Sequence, residues 1–341
     1  GIFMRRKKAA CLVCGLLLCL QSCASTAQGT EPAPKPTGVQ MKAEVAWPKD
    51  KLERNEEGIP LLRVYVVEDE QVETIDVETY VEGVLAGEMK NDWPMEALKA
   101  QAILARTFVL KFVEEKESKY PDADISTDIE EAQAYDREAV NDSIREAVAA
   151  TRGQVLSAEG NLPYAWFHAH SGGMTERAVA GLGWKDAEPA YTAVVQGNEP
   201  ATVENEADQE SLQEAQTWEA SFSAATFQDA CAKLGVDVKI TADTRLSVAE
   251  RGEGGRAKAI SVDGQPVDAS ELRIALGSTE MRSTLLTSLI VQDGQVVMAG
   301  KGYGHGVGMS QWGAYGMAQE GQSAEEIVSH YFKDVTVEKL W

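Results

Sequence analysis

The sequence predicts an α+β fold, because helix-like and strand-like segments are mixed without regular alternation. Residues 62–67 alternate in polarity as a half-buried strand does, whereas residues 77–85 and 98–112 repeat apolar side chains at helical spacing. No internal repeat is visible. Residues 61–341 are apolar enough to bury a substantial core, so we expect one large domain or two intimate subdomains of helices and short strands.

The first residues have the pattern of a secretory leader. Residues 5–8 are basic, and the apolar run at residues 9–20 is too short to span a bilayer but suits a signal peptide. Residues 20–23 (LQSC) resemble a lipobox, which predicts a signal peptide over residues 1–23 and lipidation of Cys23. Ordinary signal cleavage nearby is the alternative, because glutamine is unusual at its position in such a motif.

The composition excludes some classes of partner. The chain has 54 acidic and 32 basic residues, a formal net charge of −22 that becomes −26 once the four basic residues of the leader are removed. A surface this acidic repels phosphate backbones, so no nucleic-acid partner is expected. Of the five cysteines, only Cys231 lies beyond residue 23, which leaves no intramolecular disulfide and no cysteine-based metal cluster.

Several element boundaries can be predicted from local signals. Residues 24–60 are predicted to be a linker, because residues 30–38 (TEPAPKPTG) are rich in proline and polar residues. Asp76 is a good N-cap for the first helix, and Pro94 suits the start of the second. A further helix is predicted at residues 141–151.

The second half of the chain is less regular. Residues 197–216 are acidic and poor in large apolar groups, so they are predicted to be a flexible insertion. Short strands and one helix are expected within residues 217–298. A glycine-rich loop at 302–308 and two helices close the chain, the second helix opening with a capping box at Ser323 and Glu326.

Glu88 is the most informative acidic residue. It follows Val84 and Leu85 by four and three residues, which places it on or just beyond the apolar face of the first helix. Burial there would raise the pKa of its carboxyl, as suits an acid that holds a proton near neutral pH. The alternative, which periodicity alone favours, is a helix that frays at Gly87 and turns Glu88 to water.

Two basic residues on the second helix are further candidates. Lys99 and Arg106 are seven residues apart and therefore share a face of that helix. A cation beside Glu88 could orient its carboxylate or bind a sugar substituent. The pattern alone favours a solvated helix face.

Histidines and glycines mark two other segments. His168 and His170 lie on one side of a predicted strand, but no spacing identifies the further ligands that zinc needs, so no metal is predicted. Ser171 lacks the nucleophile elbow of a serine hydrolase. Residues 302–308 (GYGHGVG) match neither a dinucleotide nor a phosphate-binding loop. Their alternate glycines let the backbone lie against a ligand or another segment, with Tyr303 and His305 projecting.

With these segments described, the chain resembles the stage II sporulation protein D and amidase enhancer (LytB) family. Five stretches carry the resemblance in the same order: residues 77–89 (VETYVEGVLAGEM), 93–107 (WPMEALKAQAILART), 167–176 (FHAHSGGMTE), 271–277 (ELRIALG) and 302–314 (GYGHGVGMSQWGA). They extend over nearly all of residues 61–341, so this region is expected to be the family's catalytic domain.

The resemblance implies a function and a site. Sporulation members are lytic transglycosylases that act on peptidoglycan strands stripped of stem peptides, together with an amidase. The matching motifs imply that Glu88 is the catalytic acid. They also imply a glycan-binding cleft with candidate substrate-binding residues Lys99, Arg106, His168, Thr175, Tyr303 and His305. Some relatives bind zinc through cysteines in the segment matching residues 124–135, which has no cysteine here, so neither a metal nor another cofactor is expected.

Two alternatives remain open at this point. Water attack in place of internal cyclisation would make the chain a hydrolase with the same acid. A non-catalytic wall-binding module that enhances a partner amidase would need the cleft but not the proton of Glu88. Lipidation of Cys23 would anchor either protein to the outer face of the cytoplasmic membrane, facing the wall, and suits a vegetative role as well as sporulation.

Overall fold

The computed structural model describes residues 44–341. The predicted signal peptide, Cys23 and residues 24–43 of the predicted linker lie outside the described residues. The α-helices of the described part are α1 Val77–Glu88, α2 Met95–Glu115, α3 Asp142–Ala150, α4 Ala178–Leu182, α5 Glu206–Gln216, α6 Ala224–Lys233, α7 Ala269–Leu276, α8 Gln311–Gln319 and α9 Ala324–Tyr331.

The strands of the described part are short. They are β1 Leu61–Val66, β2 Gln71–Asp76, β3 Ile125–Ser126, β4 Gln154–Ala158, β5 Phe167–His168, β6 Thr217–Ser223, β7 Leu246–Arg251, β8 Ala257–Val262, β9 Gln265–Asp268, β10 Leu286–Gln292, β11 Gln295–Lys301, β12 Met309–Ser310 and β13 Val335–Lys339. They form small sheets ordered β2-β1-β3, β10-β11-β6, β7-β8-β9, β12-β5 and β13-β4. The predicted α+β class is confirmed.

Two hydrophobic cores organise these elements. The first is built around α1 and α2, with α3, α8, α9 and strands β1 and β4 contributing buried side chains. The second lies between the two three-stranded sheets that contain β6 and β8, together with α6 and α7. The chain starts in the first core, builds the second with residues 218–298, and returns to the first at Met309. The described region therefore has two subdomains. In sequence, the segment that forms the second subdomain is inserted between the two parts of the chain that form the first.

The local start signals predicted for the helices are present. The Asp76 side chain accepts a hydrogen bond from the Thr79 N–H, and the Ser323 hydroxyl caps α9 at Glu326 N. Pro94 occupies the N-cap position of α2. Residues 217–298 contain two helices, α6 and α7, where one was predicted. Within residues 44–341, no helix combines the length and the apolar character needed to cross a membrane.

Two predicted irregular segments are packed. Residues 44–60 were predicted to be part of an extended tether, but Val45 and Leu52 are buried in the first core and Ala46 forms a β-bridge with Asn161. The prediction is wrong there because proline content describes residues 30–38 and not the apolar positions that follow.

The predicted insertion at 197–216 also contributes to the core. It contains α5, whose Leu212 and Ala215 are buried in the first core, and Asp208 forms an ion pair with Lys90. Its few apolar residues share one face of the helix, so a low average apolar content conceals a packed element.

Candidate functional site

Glu88 is the last residue of α1 and lies on its buried face. The residue is 5% exposed, and its Oε1 accepts a hydrogen bond of 2.7 Å from the Ala134 N–H. Burial raises the pKa of the Glu88 carboxyl to about 7, although the hydrogen bonds from Ala134 and the Gln311 side chain act in the opposite direction. The carboxyl is therefore poised between its two protonation states near neutral pH. The predicted placement on the apolar face is confirmed, and the frayed alternative is not observed.

Glycines in α1 allow the Ala134 segment to lie directly against the helix. A Cβ atom at Gly87 would lie 2.6 Å from the Tyr135 backbone nitrogen, and one at Gly83 would overlap the Tyr135 ring. The Gly83 carbonyl also accepts a hydrogen bond from the Asp136 N–H. The two glycines therefore bring the Ala134 N–H within reach of Glu88.

Two glutamines border Glu88 on its other side. Gln311, the first residue of α8, donates from Nε2 to the Glu88 backbone carbonyl at 3.4 Å and to Gln101 Oε1 at 3.1 Å. Gln101 and Gln311 are 0% and 1% exposed. Sequence analysis did not select either residue, although both lie within the motifs that carry the family resemblance.

His168 and His305 form a buried pair. Their ring centroids are 5.7 Å apart, with an interplanar angle of 62°. His168 Nδ1 donates to the Val307 carbonyl at 3.1 Å, and His305 Nδ1 accepts from the Val307 N–H at 2.9 Å, tautomers that follow from the hydrogen-bond pattern. Burial lowers the pKa of His168 well below its usual value and that of His305 to about 3. Both rings are neutral at physiological pH and cannot serve as acids there.

His170 belongs to a different cluster centred on Glu199. The Glu199 side chain is 5% exposed, and its Oε1 accepts from the Ser171 N–H at 2.5 Å and from the Ser310 hydroxyl at 2.9 Å. It also lies 3.6 Å from His170 Nδ1. Burial alone would raise the pKa of Glu199, but His170 and the Ser171 hydrogen bonds lower it, so the carboxyl is ionised at neutral pH. Sequence analysis missed Glu199 because it lies in the segment predicted to be a flexible insertion.

The two predicted basic residues do not share one environment. Arg106 is 0% exposed, pairs with Glu78 at 2.8 Å and donates to the Gln154 carbonyl at 2.9 Å. The Arg106 guanidinium is therefore enclosed in the first core, and its assignment to substrate binding stays a prediction. Lys99 is partly exposed and pairs with Glu96 at 2.8 Å.

Thr175 and Tyr303 also differ from each other. The Thr175 hydroxyl donates to the Ala193 carbonyl at 2.8 Å and accepts from the Val195 N–H at 2.9 Å, and the residue is 0% exposed. The Thr175 hydroxyl therefore joins two backbone segments, and its assignment to substrate binding stays a prediction. Tyr303 is half-buried, with the Arg282 guanidinium 5.4 Å from its ring centroid.

The glycine-rich loop packs against other parts of the protein. Gly306 has a φ of +78°, and a Cβ atom there would lie 2.0 Å from the Arg256 guanidinium carbon. Gly308 has a φ of +74°, and its Cβ would lie 2.0 Å from the Trp166 carbonyl oxygen. The alternate glycines were predicted to let the loop backbone lie against a ligand or another segment. In the structure the loop lies against protein segments that contain Arg256 and Trp166.

No group of three or more histidine, cysteine, aspartate or glutamate side chains suited to a metal ion occurs within residues 44–341. The Glu88 residue, the Ala134 N–H and the side chains of Gln101 and Gln311 form one buried polar cluster. Strand β5 joins it to the histidines, because Ser310, the residue before Gln311, pairs with His168 in the parallel β5–β12 ladder. Fold and site define a two-subdomain α+β protein in which the Glu88 carboxyl is buried at the C-terminus of α1.

Comparison with known proteins extends this description. The family model described as stage II sporulation protein matches residues 67–157, and one described as a domain of unknown function (DUF8618) matches residues 194–308. Stage II sporulation protein D of Bacillus amyloliquefaciens is 32% identical over 287 residues, which cover 80% of this chain and 77% of that protein. The chain belongs to the stage II sporulation protein D family.

Two other relatives show the breadth of this similarity. An uncharacterized protein of Brachyspira hyodysenteriae is 32% identical over 268 residues, covering 78% of this chain and 67% of the relative. The amidase enhancer of Bacillus subtilis is 30% identical over 297 residues, covering 75% of this chain and 40% of that longer protein. The resemblance stated from the motifs is confirmed.

Proposed function

We propose that this protein is a peptidoglycan lytic transglycosylase in which Glu88 is the catalytic acid. The observation that carries the proposal is the buried carboxyl of Glu88, whose pKa burial raises to about 7. An ordinary exposed glutamate is ionised at this pH and holds no proton to donate. A carboxyl with a pKa near the working pH can both give and take a proton, as general acid–base catalysis requires.

The family assignment supports the coarser part of the proposal. The names stage II sporulation protein D and amidase enhancer support a cell-wall-related role. We therefore propose peptide-stripped glycan strands of peptidoglycan as the substrate, in a role that the relatives' names connect with sporulation and that a vegetative wall enzyme would share. The finer assignment of activity rests on Glu88.

The reaction needs one acid–base group. Glu88 would donate its proton to the glycosidic oxygen between N-acetylmuramic acid and N-acetylglucosamine while positive charge develops at C1. The bond between C1 and that oxygen breaks, and the ionised Glu88 then accepts the proton of the muramic 6-hydroxyl. The deprotonated 6-oxygen of the muramic acid then bonds to C1 and forms a 1,6-anhydro end. Glu88 gives up one proton and regains one, so the reaction needs no second carboxylate.

Other residues have supporting assignments in this proposal. Lys99 and Tyr303 remain proposed substrate-binding residues because part of each side chain is exposed. His168 and His305 are neutral and buried, so we assign them the positioning of the glycine-rich loop. We further propose that residues 44–341 form the catalytic region and that a lipid on Cys23 anchors it outside the cytoplasmic membrane.

A second candidate function is non-catalytic enhancement of a partner N-acetylmuramoyl-L-alanine amidase. Two observations favour it: a relative is named an amidase enhancer, and Glu88 is only 5% exposed, which also suits a carboxyl that holds the Ala134 segment in place. In this case glycan binding would persist without the ionisable proton of Glu88.

Digestion of defined glycan strands separates the two functions. Residues 24–341 and the Glu88→Gln variant would each be incubated with strands lacking stem peptides, and the products read by mass spectrometry. We expect anhydro-ended fragments from the wild-type protein only. Reducing-ended fragments would identify a hydrolase. Intact strands, together with equal stimulation of an amidase by both proteins, would replace the enzyme assignment with the enhancer assignment.

A further inference from the structure

Gln311 connects two helix ends that are distant in sequence. It is the first residue of α8, after the N-cap Ser310, and its side-chain amide reaches the last residue of α1, 223 positions earlier in the chain. The Glu88 carbonyl is one of the carbonyl groups at a helix C-terminus that have no partner within the helix. Gln311 supplies that partner at 3.4 Å, so the terminal turn carrying Glu88 is tied to α8.

Two acceptors, the Glu88 backbone carbonyl and Gln101 Oε1, face the Gln311 amide nitrogen. Gln101 Oε1 accepts the second hydrogen bond of Gln311 Nε2 at 3.1 Å. The reversed amide would place Gln311 Oε1 against the Glu88 carbonyl and Gln101 Oε1, so that acceptor would face acceptor at both contacts. With both side chains nearly devoid of exposed surface, water cannot replace these bonds cheaply.

The same amide acts on the Glu88 carboxyl. Gln311 Nε2 lies at the Glu88 backbone carbonyl, and the presence of this amide lowers the pKa of the Glu88 carboxyl against the effect of burial, as does the bond from Ala134. Gln311 is itself held in place, because Ser310 Oγ donates to Glu199 at 2.9 Å and the Trp312 N–H donates to the Ala169 carbonyl at 3.0 Å. The glutamine is therefore a fixed donor and not a mobile surface amide.

We propose that Gln311, oriented by Gln101, is the positioning residue that holds the catalytic carboxyl of Glu88 in place. The inference rests on the proposed function, because it takes proton transfer by Glu88 as the purpose for which Gln311 positions that residue. It adds that the start of α8, which follows the glycine-rich loop, helps to position the Glu88 carboxyl. It also predicts that loss of the amide changes proton transfer and leaves glycan affinity as it was.

The test uses Gln311→Met, which keeps a similar volume and removes the donor. Gln101→Met is the second variant, in case the first does not fold. The matched control is Gln319→Met on the same helix, where the exposed Gln319 donates to the Tyr315 hydroxyl, away from Glu88. Kinetics on peptide-stripped strands are combined with a carbon-13 titration of the Glu88 carboxyl, identified as the signal missing from Glu88→Gln.

We expect Gln311→Met to raise the pKa of Glu88 and to move the alkaline limb of the rate profile to higher pH. At a pH where Glu88 is protonated in both proteins, kcat should fall about tenfold while KM is unchanged, since about 1.4 kcal/mol of transition-state stabilisation corresponds to that factor. Gln101→Met should change both quantities in the same direction. Gln319→Met should change neither.

Two outcomes would overturn the inference. One is a Glu88 carboxyl that titrates in folded Gln311→Met as it does in the wild type. The other is a kcat loss equalled by Gln319→Met. The carboxyl titration needs no substrate, so it still tests the contact if the wild-type protein leaves glycan strands intact. That last result would refute the proposed function and, with it, a catalytic purpose for the placement.

Discussion

At the scale of single residues, burial gives similar side chains different chemistry. Glu88 and Glu199 are both nearly enclosed, yet the pKa of Glu88 is raised to about 7, whereas His170 and Ser171 lower that of Glu199. The Glu88 carboxyl accepts a hydrogen bond from the Ala134 N–H, whereas Glu199 Oε1 accepts from both the Ser171 N–H and the Ser310 hydroxyl. The number of donors facing a buried carboxyl, not burial alone, decides whether it can carry a proton.

The raised pKa of Glu88 predicts a pH-dependent cost in stability. Below the unfolded-state pKa near 4.5, Glu88 is protonated in both states and contributes no difference. As pH rises through 4.5 to 7, the unfolded chain ionises first, so folding loses stability. We expect Glu88→Gln, measured by urea denaturation, to gain about 2–3 kcal/mol relative to wild type between pH 5 and pH 8. An equal difference at both pH values would show that the Glu88 pKa is ordinary.

Arg106 illustrates the opposite use of a buried charge. Helical spacing placed Arg106 on the same face as Lys99, but the guanidinium pairs with Glu78 in the core while Lys99 pairs with Glu96 at the surface. Glu78 Oε1 also accepts a hydrogen bond from the Gly153 N–H at 2.7 Å. This ion pair joins α1, α2 and the start of β4, so its role is architectural.

At the scale of elements, the contact between α1 and the segment around Ala134 depends on missing side chains. Gly83 and Gly87 lie one turn apart and face Tyr135, so the segment packs on helix backbone. An alanine in a helix interior is worth about 1 kcal/mol more than glycine. Overpacking against a backbone atom costs about 1–3 kcal/mol.

For Gly87→Ala we therefore expect a net loss of stability, because the new Cβ would lie 2.6 Å from the Tyr135 backbone nitrogen. The Ala134 N–H should also move away from Glu88, which raises the pKa of the carboxyl further. Urea denaturation would measure the first effect and carboxyl titration the second. Glu82→Ala on the same helix is the control. A variant as stable as the wild type would mean that the segment yields without cost.

At the scale of the whole molecule, Arg256 joins the second subdomain to the segment at residues 171–176, which follows the first-core residue Phe167. It follows Gly255 at the start of β8 in the second core, and its guanidinium donates to the Ser171 and Met174 carbonyls at 2.8 and 2.9 Å. A second contact joins the same two parts of the chain: Glu176 Oε2 accepts a hydrogen bond from the Gly254 N–H at 2.9 Å. The histidine-bearing segment is thus held by a residue from the inner subdomain.

We expect Arg256→Met to weaken the cooperation between the two cores. Removing the buried Arg256 guanidinium leaves the Ser171 and Met174 carbonyls without their hydrogen-bond donor and the buried Glu176 carboxylate without a nearby positive charge. Such a loss costs about 3–5 kcal/mol. Differential scanning calorimetry should show a lower midpoint and a second transition. Arg251→Met, whose side chain donates within the second subdomain to Gly255 and Leu286, should keep one transition. A single unshifted transition in Arg256→Met would argue against the link.

The sequence by itself determined α1, α2 and α3, the two helices that close the chain, the caps at Asp76 and Ser323, and the α+β class. These follow from propensity, capping and periodicity, which act over a few residues and can be recognised in the chain. It also determined the family, through motifs in a constant order.

Only the tertiary structure decided which side chains meet. Gln311 reaches Glu88 across 223 positions, Glu199 binds Ser310 across 111, and Arg106 finds Glu78 in the core. Periodicity indicates that a residue is buried, but not whether a donor, a carboxylate or another helix lies opposite. The protonation state of a buried group depends on those neighbours, so the chemistry of the site required the folded chain.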